Sequence, residues 1–122
     1  MLQITPNIFM LEGLRVANVY LLASPEGLTL VDTGLIGEAG KIADQLVKAG
    51  YAITDLRQIV ITHAHSDHTG SAAELVRLSG AKVLAYKDEV AYLSYTALCR
   101  VDRGCKVSFY SCRKKSCPIH LQ

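Results

Sequence analysis

Short apolar runs separated by turn residues fill the first part of the chain. Three runs, at residues 2–11, 16–23 and 28–31, are rich in β-branched and aromatic residues, with partial alternation of apolar and polar positions. The third run ends at Asp32-Thr33-Gly34, where a loop is expected. This pattern predicts three strands of a meander.

From Glu38 onwards the spacing of apolar residues becomes helical. Up to Gly50 they recur at i, i+3, i+4, i+7 and i+8, which places on one helix face Ala39, Ile42, Ala43, Leu46 and Val47. A wholly apolar run at 59–61 then predicts a buried strand. The pattern after it predicts a helix that stops at Gly80, a strand at 82–85 and a short helix at 88–93. This alternation predicts an α/β fold.

The charge distribution divides the chain in two. Residues 1–98 hold 7 Lys and Arg against 10 Asp and Glu, a net charge of −3, whereas residues 99–122 hold 6 against 1, a net charge of +5. The second stretch contains all four cysteines, Cys99, Cys105, Cys112 and Cys117. We therefore predict a folded domain at 1–98 and a basic, Cys-rich tail at 99–122 without an assigned role.

The composition also excludes several classes of partner. No apolar run approaches the roughly 18 residues of a membrane span, so we expect no membrane partner. The N-terminus lacks the basic and apolar regions of a secretory signal, which predicts a cytoplasmic protein whose cysteines are free thiols or metal ligands rather than disulfides. The small net charge of +2, with the basic residues concentrated in the tail, gives no reason to expect nucleic acid as a partner.

Three histidines and an aspartate lie within six residues, directly after the predicted buried strand. At this spacing His63 and His65 can point the same way and bind one ion, while Asp67 and His68, beyond the bend, face a second position about 3.5–4 Å away. Imidazole and carboxylate ligands favour zinc, with iron or manganese as alternatives. Residues 69–71 are expected to let the loop turn tightly and to give the next helix a polar N-terminus.

The segment THAHSDHTGS at residues 62–71 resembles the signature of the metallo-β-lactamase fold hydrolases. The upstream LVDTG, which ends at Gly34, resembles the same family's first motif. The resemblance covers about residues 1–95. It implies the N-terminal half of an αβ/βα sandwich, with a mixed β-sheet and flanking helices.

The same resemblance implies roles for individual residues. His63 and His65 would ligate one zinc ion, Asp67 and His68 a second, and Asp32 would support the metal loop. We also predict Asp67 as the catalytic residue. The family's metals lower the pKa of a bound water towards about 7, which implies hydrolysis of an ester, thioester, lactone or phosphodiester in a small-molecule substrate.

The resemblance ends before the family's later ligands, which are another His, a bridging Asp and a final His. His120 stands in a different context and takes no ligand role. We therefore expect a truncated site, and leave open whether the chain catalyses alone. The missing half would also leave several hundred Å² of one sheet face uncovered, at a cost of roughly 10 kcal/mol, and a homo-oligomer formed through that face is one expectation.

The tail leaves three interpretations open. A structural zinc site could form from Cys112, Cys117 and His120 with either Cys99 or Cys105. The basic run at 113–115 could contact nucleic acid or an acidic surface, or the tail could be unrelated to the domain. The first interpretation supports a second hypothesis for the chain, a non-catalytic zinc-binding or interaction module.

Overall fold

The computed structural model describes residues 1–96 and 109–112. It begins with four antiparallel strands: β1 (Leu2–Thr5), β2 (Ile8–Met10), β3 (Tyr20–Ser24) and β4 (Gly27–Val31). The prediction of a single strand over residues 2–11 was wrong, because the chain reverses at Pro6-Asn7 and pairs β1 with β2. Proline fixes φ and asparagine tolerates turn conformations, so this dipeptide is itself a turn signal.

The rest of the described chain alternates helices and parallel strands. The elements are α1 (Ala39–Lys48), a 3-10 turn (Ile53–Asp55), β5 (Leu56–Ile61), α2 (Ser66–Thr69), α3 (Ala72–Ser79), β6 (Lys82–Tyr86), α4 (Lys87–Thr96) and β7 (Phe109–Cys112). The strands form one sheet in the order of their numbers, with β4 to β7 parallel. A mixed sheet with flanking helices confirms the predicted α/β class.

The core lies between one face of the sheet and the helices. Alternate residues of the central strands are buried on this face: Leu28, Leu30, Ile59, Ile61, Val83 and Ala85. The predicted face of α1 covers them together with helix α3, since Ile42, Leu46 and Leu75 are fully buried. Val47, at the margin of the predicted α1 face, is 62% exposed. The ends of β4 and β5 are thereby fixed next to each other, and the histidine segment follows β5.

The other face of the sheet is only partly covered within residues 1–96. One apolar row of paired positions crosses it through Tyr20, Val31, Val60 and Leu84, all of intermediate exposure, and the neighbouring row through Thr29, Gln58 and Lys82 is polar. The apolar row lies on the surface through which a homo-oligomer was expected. That expectation stays a prediction.

The predicted tail contains one described element. Strand β7 pairs in parallel with β6, with Tyr110 opposite Leu84. The division at 98 and 99 stays a prediction, and Cys99, Cys105, Cys117 and His120 lie outside the described residues. Among the helices that the structure describes, each is too short or too polar to cross a membrane.

Candidate metal centre

The candidate site forms where β4 and β5 end at the same edge of the sheet. The two strands are parallel neighbours, with Val31 opposite Val60, so the residues that follow them lie close together. Asp32 follows β4 directly, and Thr62 follows β5. The segment after Thr62 then turns into the short helix α2, which carries Asp67 and His68.

The structure brings the four predicted metal-binding side chains together. The ring of His63 lies 4.6 Å from that of His65, centroid to centroid, at an interplanar angle of 78°, and 4.0 Å from that of His68. Asp67 Oδ2 lies 3.3 Å from His68 Nε2. His65 is exposed, whereas the other three have intermediate exposure, so the cluster is open to solvent.

Asp32 lies beneath this cluster and is almost completely buried, with 4% exposure. One carboxylate oxygen, Oδ1, accepts a hydrogen bond from the Thr62 amide at 2.9 Å, and the other, Oδ2, accepts from the Thr62 hydroxyl at 2.7 Å. Oδ2 also lies 2.7 Å from His68 Nδ1. Its backbone has a φ of 62°, a left-handed conformation that aspartate adopts more readily than most residues.

These hydrogen bonds assign the tautomers of two histidines. An ionised carboxylate can only accept, so the bond to Asp32 places a proton on His68 Nδ1, and in the neutral imidazole the lone pair is then on Nε2, 3.3 Å from Asp67 Oδ2. The Thr62 hydroxyl has one proton, which it gives to Asp32, and it therefore accepts from His63 Nδ1 at 3.0 Å. One buried carboxylate thus leaves the Nε2 atoms of both imidazoles available as ligands.

The chemistry of this donor set fits a divalent metal. Three imidazoles and one carboxylate are the ligands that zinc prefers, and the hydrogen bonds on the Nδ1 atoms are of the kind that orient zinc-binding histidines. Within residues 1–96 and 109–112, no three His, Cys, Asp or Glu side chains are already arranged as ligands around one point. The histidine rings pack against each other instead, so we expect ligation to require side-chain rotation.

The loop after β4 and the histidine segment are in direct contact. Thr33 donates to the His68 carbonyl from its amide at 2.8 Å and from its hydroxyl at 2.9 Å, and the Gly70 amide donates to the Gly34 carbonyl at 2.9 Å. Residues 70 and 71 form the turn between α2 and α3, as expected. Gly70 has a φ of −58°, which any residue can adopt, so the backbone conformation does not by itself require a glycine. It is needed because a Cβ there would collide with the backbone at Leu35 and Ile36.

Ser71 likewise differs from its predicted role. It precedes α3 as expected, but its hydroxyl does not cap that helix. The hydroxyl donates to the Leu35 carbonyl at 2.6 Å and accepts from the Glu38 amide at 3.0 Å. The Ser71 side chain therefore joins the two loops of the site, and only the Ser71 carbonyl, which accepts from the Leu75 amide at 3.0 Å, serves the N-terminus of α3.

Glu38 is a buried carboxylate beside the site that the sequence analysis did not single out. It is 1% exposed, and its oxygens accept hydrogen bonds from the Arg15 amide at 2.9 Å, the Arg15 Nε at 3.2 Å and the Leu35 amide at 2.8 Å. Burial alone would raise the pKa of this carboxyl, but the bonds and charge from Arg15 and Leu35 outweigh it and lower the pKa below its ordinary value of 4.5.

This lowered pKa predicts an acid-dependent loss of stability. Because the folded state favours the ionised form of Glu38, its contribution is complete above pH 4.5 and is lost as the pH falls through the lowered folded value. At pH 7 we expect Glu38→Gln to lower the free energy of unfolding by about 1–3 kcal/mol. The NH2 end of the Gln side chain is a donor, and it would face at least one of the three N–H donors that Glu38 accepts from. Urea denaturation between pH 7 and pH 3 should show this difference shrinking as the pH falls.

Glu74→Gln is the matched control, because Glu74 is half exposed and its one ion pair among the described contacts, with Arg77, is long at 3.9 Å. This variant should stay within about 0.5 kcal/mol of the parent at every pH. The Glu38→Gln variant and the parent would contradict the lowered pKa of Glu38 if the difference between their free energies of unfolding stayed constant from pH 7 to pH 3.

Glu89 is the second carboxylate that sequence reasoning missed. It lies in the first turn of α4, and its Oε2 accepts a hydrogen bond from the Ala64 amide at 2.8 Å. Ala64 separates His63 and His65. The available signal was positional, since a residue just after β6 lies at the same edge of a parallel sheet as one just after β5.

The domain is α/β, and a cluster of imidazole and carboxylate groups lies at the carboxyl ends of its parallel strands. These two features are typical of a class of metal-dependent proteins. A family model of the metallo-beta-lactamase superfamily matches residues 13–104. The chain therefore belongs to the metallo-β-lactamase superfamily, as its two motifs indicated.

Individual relatives agree with this membership. A metal-dependent hydrolase of Agrobacterium fabrum is 33% identical over 87 residues, which are 71% of this chain and 36% of that protein. A hydroxyacylglutathione hydrolase of a Bradyrhizobium strain is 45% identical over 67 residues, 55% of this chain and 25% of that protein.

Solved structures show the same fold. The Rm3 metallo-beta-lactamase matches with a TM-score of 0.73 and 32% identity, over 80% of this chain and 36% of its own. BJP-1, a subclass B3 metallo-beta-lactamase of Bradyrhizobium japonicum, matches with a TM-score of 0.70 and 29% identity, over 91% of this chain and 42% of its own. The chain thus spans between a quarter and about two fifths of the length of these four proteins, and the fold it shares with them is that of their N-terminal part.

Proposed function

We propose that this chain binds zinc through His63, His65, Asp67 and His68 and takes part in hydrolysis of an ester-type bond in a small-molecule substrate. The observation that carries the proposal is the contact of three imidazole rings beside one carboxylate, at the edge of the sheet where Asp32 supports them. Membership in a superfamily with metal-dependent hydrolases supports it. We propose one or two zinc ions, with His63 and His65 on one side and Asp67 and His68 on the other.

The residues of the chain would prepare the site before any metal arrives. Asp32 and Thr62 keep protons on the Nδ1 atoms of His68 and His63, so that in the neutral imidazoles the lone pairs are on Nε2. A bound zinc ion would supply a Lewis acid that lowers the pKa of a coordinated water to about 7. The buried hydrogen bonds of Asp32 hold the loop backbone at Thr62, from which the histidine side chains would rotate into ligation.

Asp67 is the residue we propose to handle the proton of the attacking water. Its side chain is 28% exposed, so solvent reaches it, and its Oδ2 lies 3.3 Å from His68 Nε2. A carboxylate in this position can bind the ion and accept a proton through Oδ2. Its neighbour His68 is held from the opposite side by Asp32, which fixes the direction of the pair.

The substrate class is proposed from one relative. The Bradyrhizobium protein is named a hydroxyacylglutathione hydrolase, and a hydroxyacylglutathione is a thioester. We therefore place a thioester first among the substrates to test, followed by a lactone, a β-lactam and a phosphodiester. Hydrolysis of each of these four bonds needs a hydroxide-like nucleophile, which a bound metal would supply at neutral pH by lowering the pKa of water.

Asp67→Ala is expected to reduce turnover of this panel by at least about 100-fold, because it removes both a proton acceptor and a ligand. The measurement is hydrolysis of each substrate by zinc-loaded protein, followed spectroscopically, with the zinc content of each variant determined in parallel.

Asp44→Ala is the control, since Asp44 is exposed on α1 and belongs to neither of the site's loops. It should leave turnover unchanged. If the Asp67→Ala variant turned over the substrates as fast as the parent, Asp67 would have no role in the reaction. A parent protein that binds zinc but turns over none of the four substrates would contradict the hydrolytic part of the proposal and favour a binding module.

A further inference from the structure

The first turn of α4 contacts the histidine segment. Strands β5 and β6 are parallel neighbours, with Ile61 opposite Ala85, so both chains leave the sheet at the same edge. Helix α4 begins directly after β6, and its third residue, Glu89, extends to the loop after β5. Glu89 Oε2 accepts a hydrogen bond from the Ala64 amide at 2.8 Å.

This contact holds a part of the loop that the other contacts do not reach. Asp32 fixes the beginning of the segment through the Thr62 amide and hydroxyl. The turn into α2 fixes the end, since the His65 carbonyl accepts from the His68 and Thr69 amides, both at 3.0 Å. The peptide that joins His63 to Ala64 lies between these anchors, and Glu89 supplies the acceptor for its N–H group.

An N–H group without an acceptor is costly in a half-buried position, and Ala64 is half-buried against the core. Without Glu89, the peptide would turn its amide towards solvent to recover a hydrogen bond. That rotation changes ψ of His63 and φ of Ala64, and with them the direction of the His63 side chain relative to that of His65. The relative orientation of the two imidazoles therefore depends on a carboxylate from another element.

We propose that Glu89 is a positioning residue for zinc binding, acting through the Ala64 peptide to set the relative orientation of His63 and His65. This inference rests on the proposed function, since it concerns the same site. Glu89 acts as a hydrogen-bond acceptor and not as a ligand. A neutral acceptor of the same shape should therefore replace it.

Glu89→Ala is expected to weaken zinc binding by about tenfold, the lower end of the effect of removing a partner that orients a metal ligand. Glu89→Gln, whose amide oxygen can accept the same bond, should stay within about threefold of the parent. Zinc affinity is measured by competition with a chromophoric chelator, and the visible spectrum of the Co²⁺ form reports the ligand geometry. The exchange of the Ala64 amide proton with solvent, followed by NMR on the metal-free proteins, should be faster in Glu89→Ala than in the parent. In Glu89→Gln it should match the parent.

Asp88→Ala is the matched control, because Asp88 lies in the same helix turn but its side chain is 69% exposed and faces Lys87 at 3.9 Å. It should bind zinc as the parent does. Glu89→Ala with parental zinc affinity and parental Ala64 exchange would overturn the inference alone. If Glu89→Gln bound zinc as weakly as Glu89→Ala, the inference would also be overturned, because the charge of Glu89 and not its hydrogen bond would then determine zinc affinity. A parent that binds neither Zn²⁺ nor Co²⁺ would overturn the proposed function together with this role.

Discussion

Gly70→Ala is expected to destabilise the protein by about 3 kcal/mol, at the upper end of the cost of overpacking. A Cβ at this position would lie 2.5 Å from the Leu35 carbonyl carbon, 2.7 Å from the Ser66 carbonyl oxygen, and closer still to the Ile36 nitrogen. All three atoms belong to the backbone, so no side-chain rotation can relieve the collision. Urea denaturation at pH 7 measures the loss directly.

The same substitution at Gly40 is the matched control. Gly40 lies within helix α1, and a Cβ there meets nothing within 4 Å. Alanine has the higher helix propensity, so Gly40→Ala should stabilise the protein by about 0.5–1 kcal/mol. The two variants are expected to differ in sign. A Gly70→Ala protein as stable as the parent would show that the two loops do not approach as closely as the structure indicates.

The collision at Gly70 also concerns the site. The Gly70 amide donates to the Gly34 carbonyl, and Thr33 donates to the His68 carbonyl, so the loop after β4 and the histidine segment are pressed together over several residues. Asp32 reaches His68 through this close approach, whereas its contact with Thr62 also follows from the pairing of β4 with β5. Separating the loops by the width of a methyl group would lengthen the bonds that set the histidine tautomers.

Sequence periodicity predicted the elements that carry one buried face. Helix α1 occupies Ala39–Lys48 inside the predicted span, and α3 ends at Gly80, which has the left-handed φ of 73° expected of a helix terminator. Strands β5 and β6 were predicted from short apolar runs. These predictions succeeded because burial against one layer imposes a period that is visible in a single sequence.

The hydrogen bonds of the candidate site could not be predicted in this way. Glu38 accepts from Arg15, 23 residues earlier, and Glu89 accepts from Ala64, 25 residues earlier. Neither glutamate interrupts a pattern, because Glu38 precedes α1 and Glu89 occupies the first turn of α4, where acidic residues are ordinary. Their role depends on which strands are neighbours, and strand order is not a local property of the sequence.

Replacing His63 and His65 together with alanine is expected to reduce zinc affinity by at least about 100-fold. Removing a group that only orients a ligand already costs 10–100-fold, and this variant removes two ligands of the proposed site. The described cluster would retain only Asp67 and His68, fewer than the three or four protein ligands of most zinc sites. Zinc affinity by chelator competition, with zinc content after dialysis, measures the loss.

Folding should survive the double substitution, because His65 is exposed and His63 makes one side-chain hydrogen bond, to the Thr62 hydroxyl, among the described contacts. Circular dichroism of the variant tests this. His120→Ala is the matched control, since it removes the one histidine outside the cluster and should leave zinc affinity unchanged. Zinc that survives the double substitution but is lost in Cys112→Ala would reject the site at the sheet edge and favour a binding module built on the tail cysteines. The double variant therefore separates the two hypotheses, because each assigns the metal to a different part of the chain.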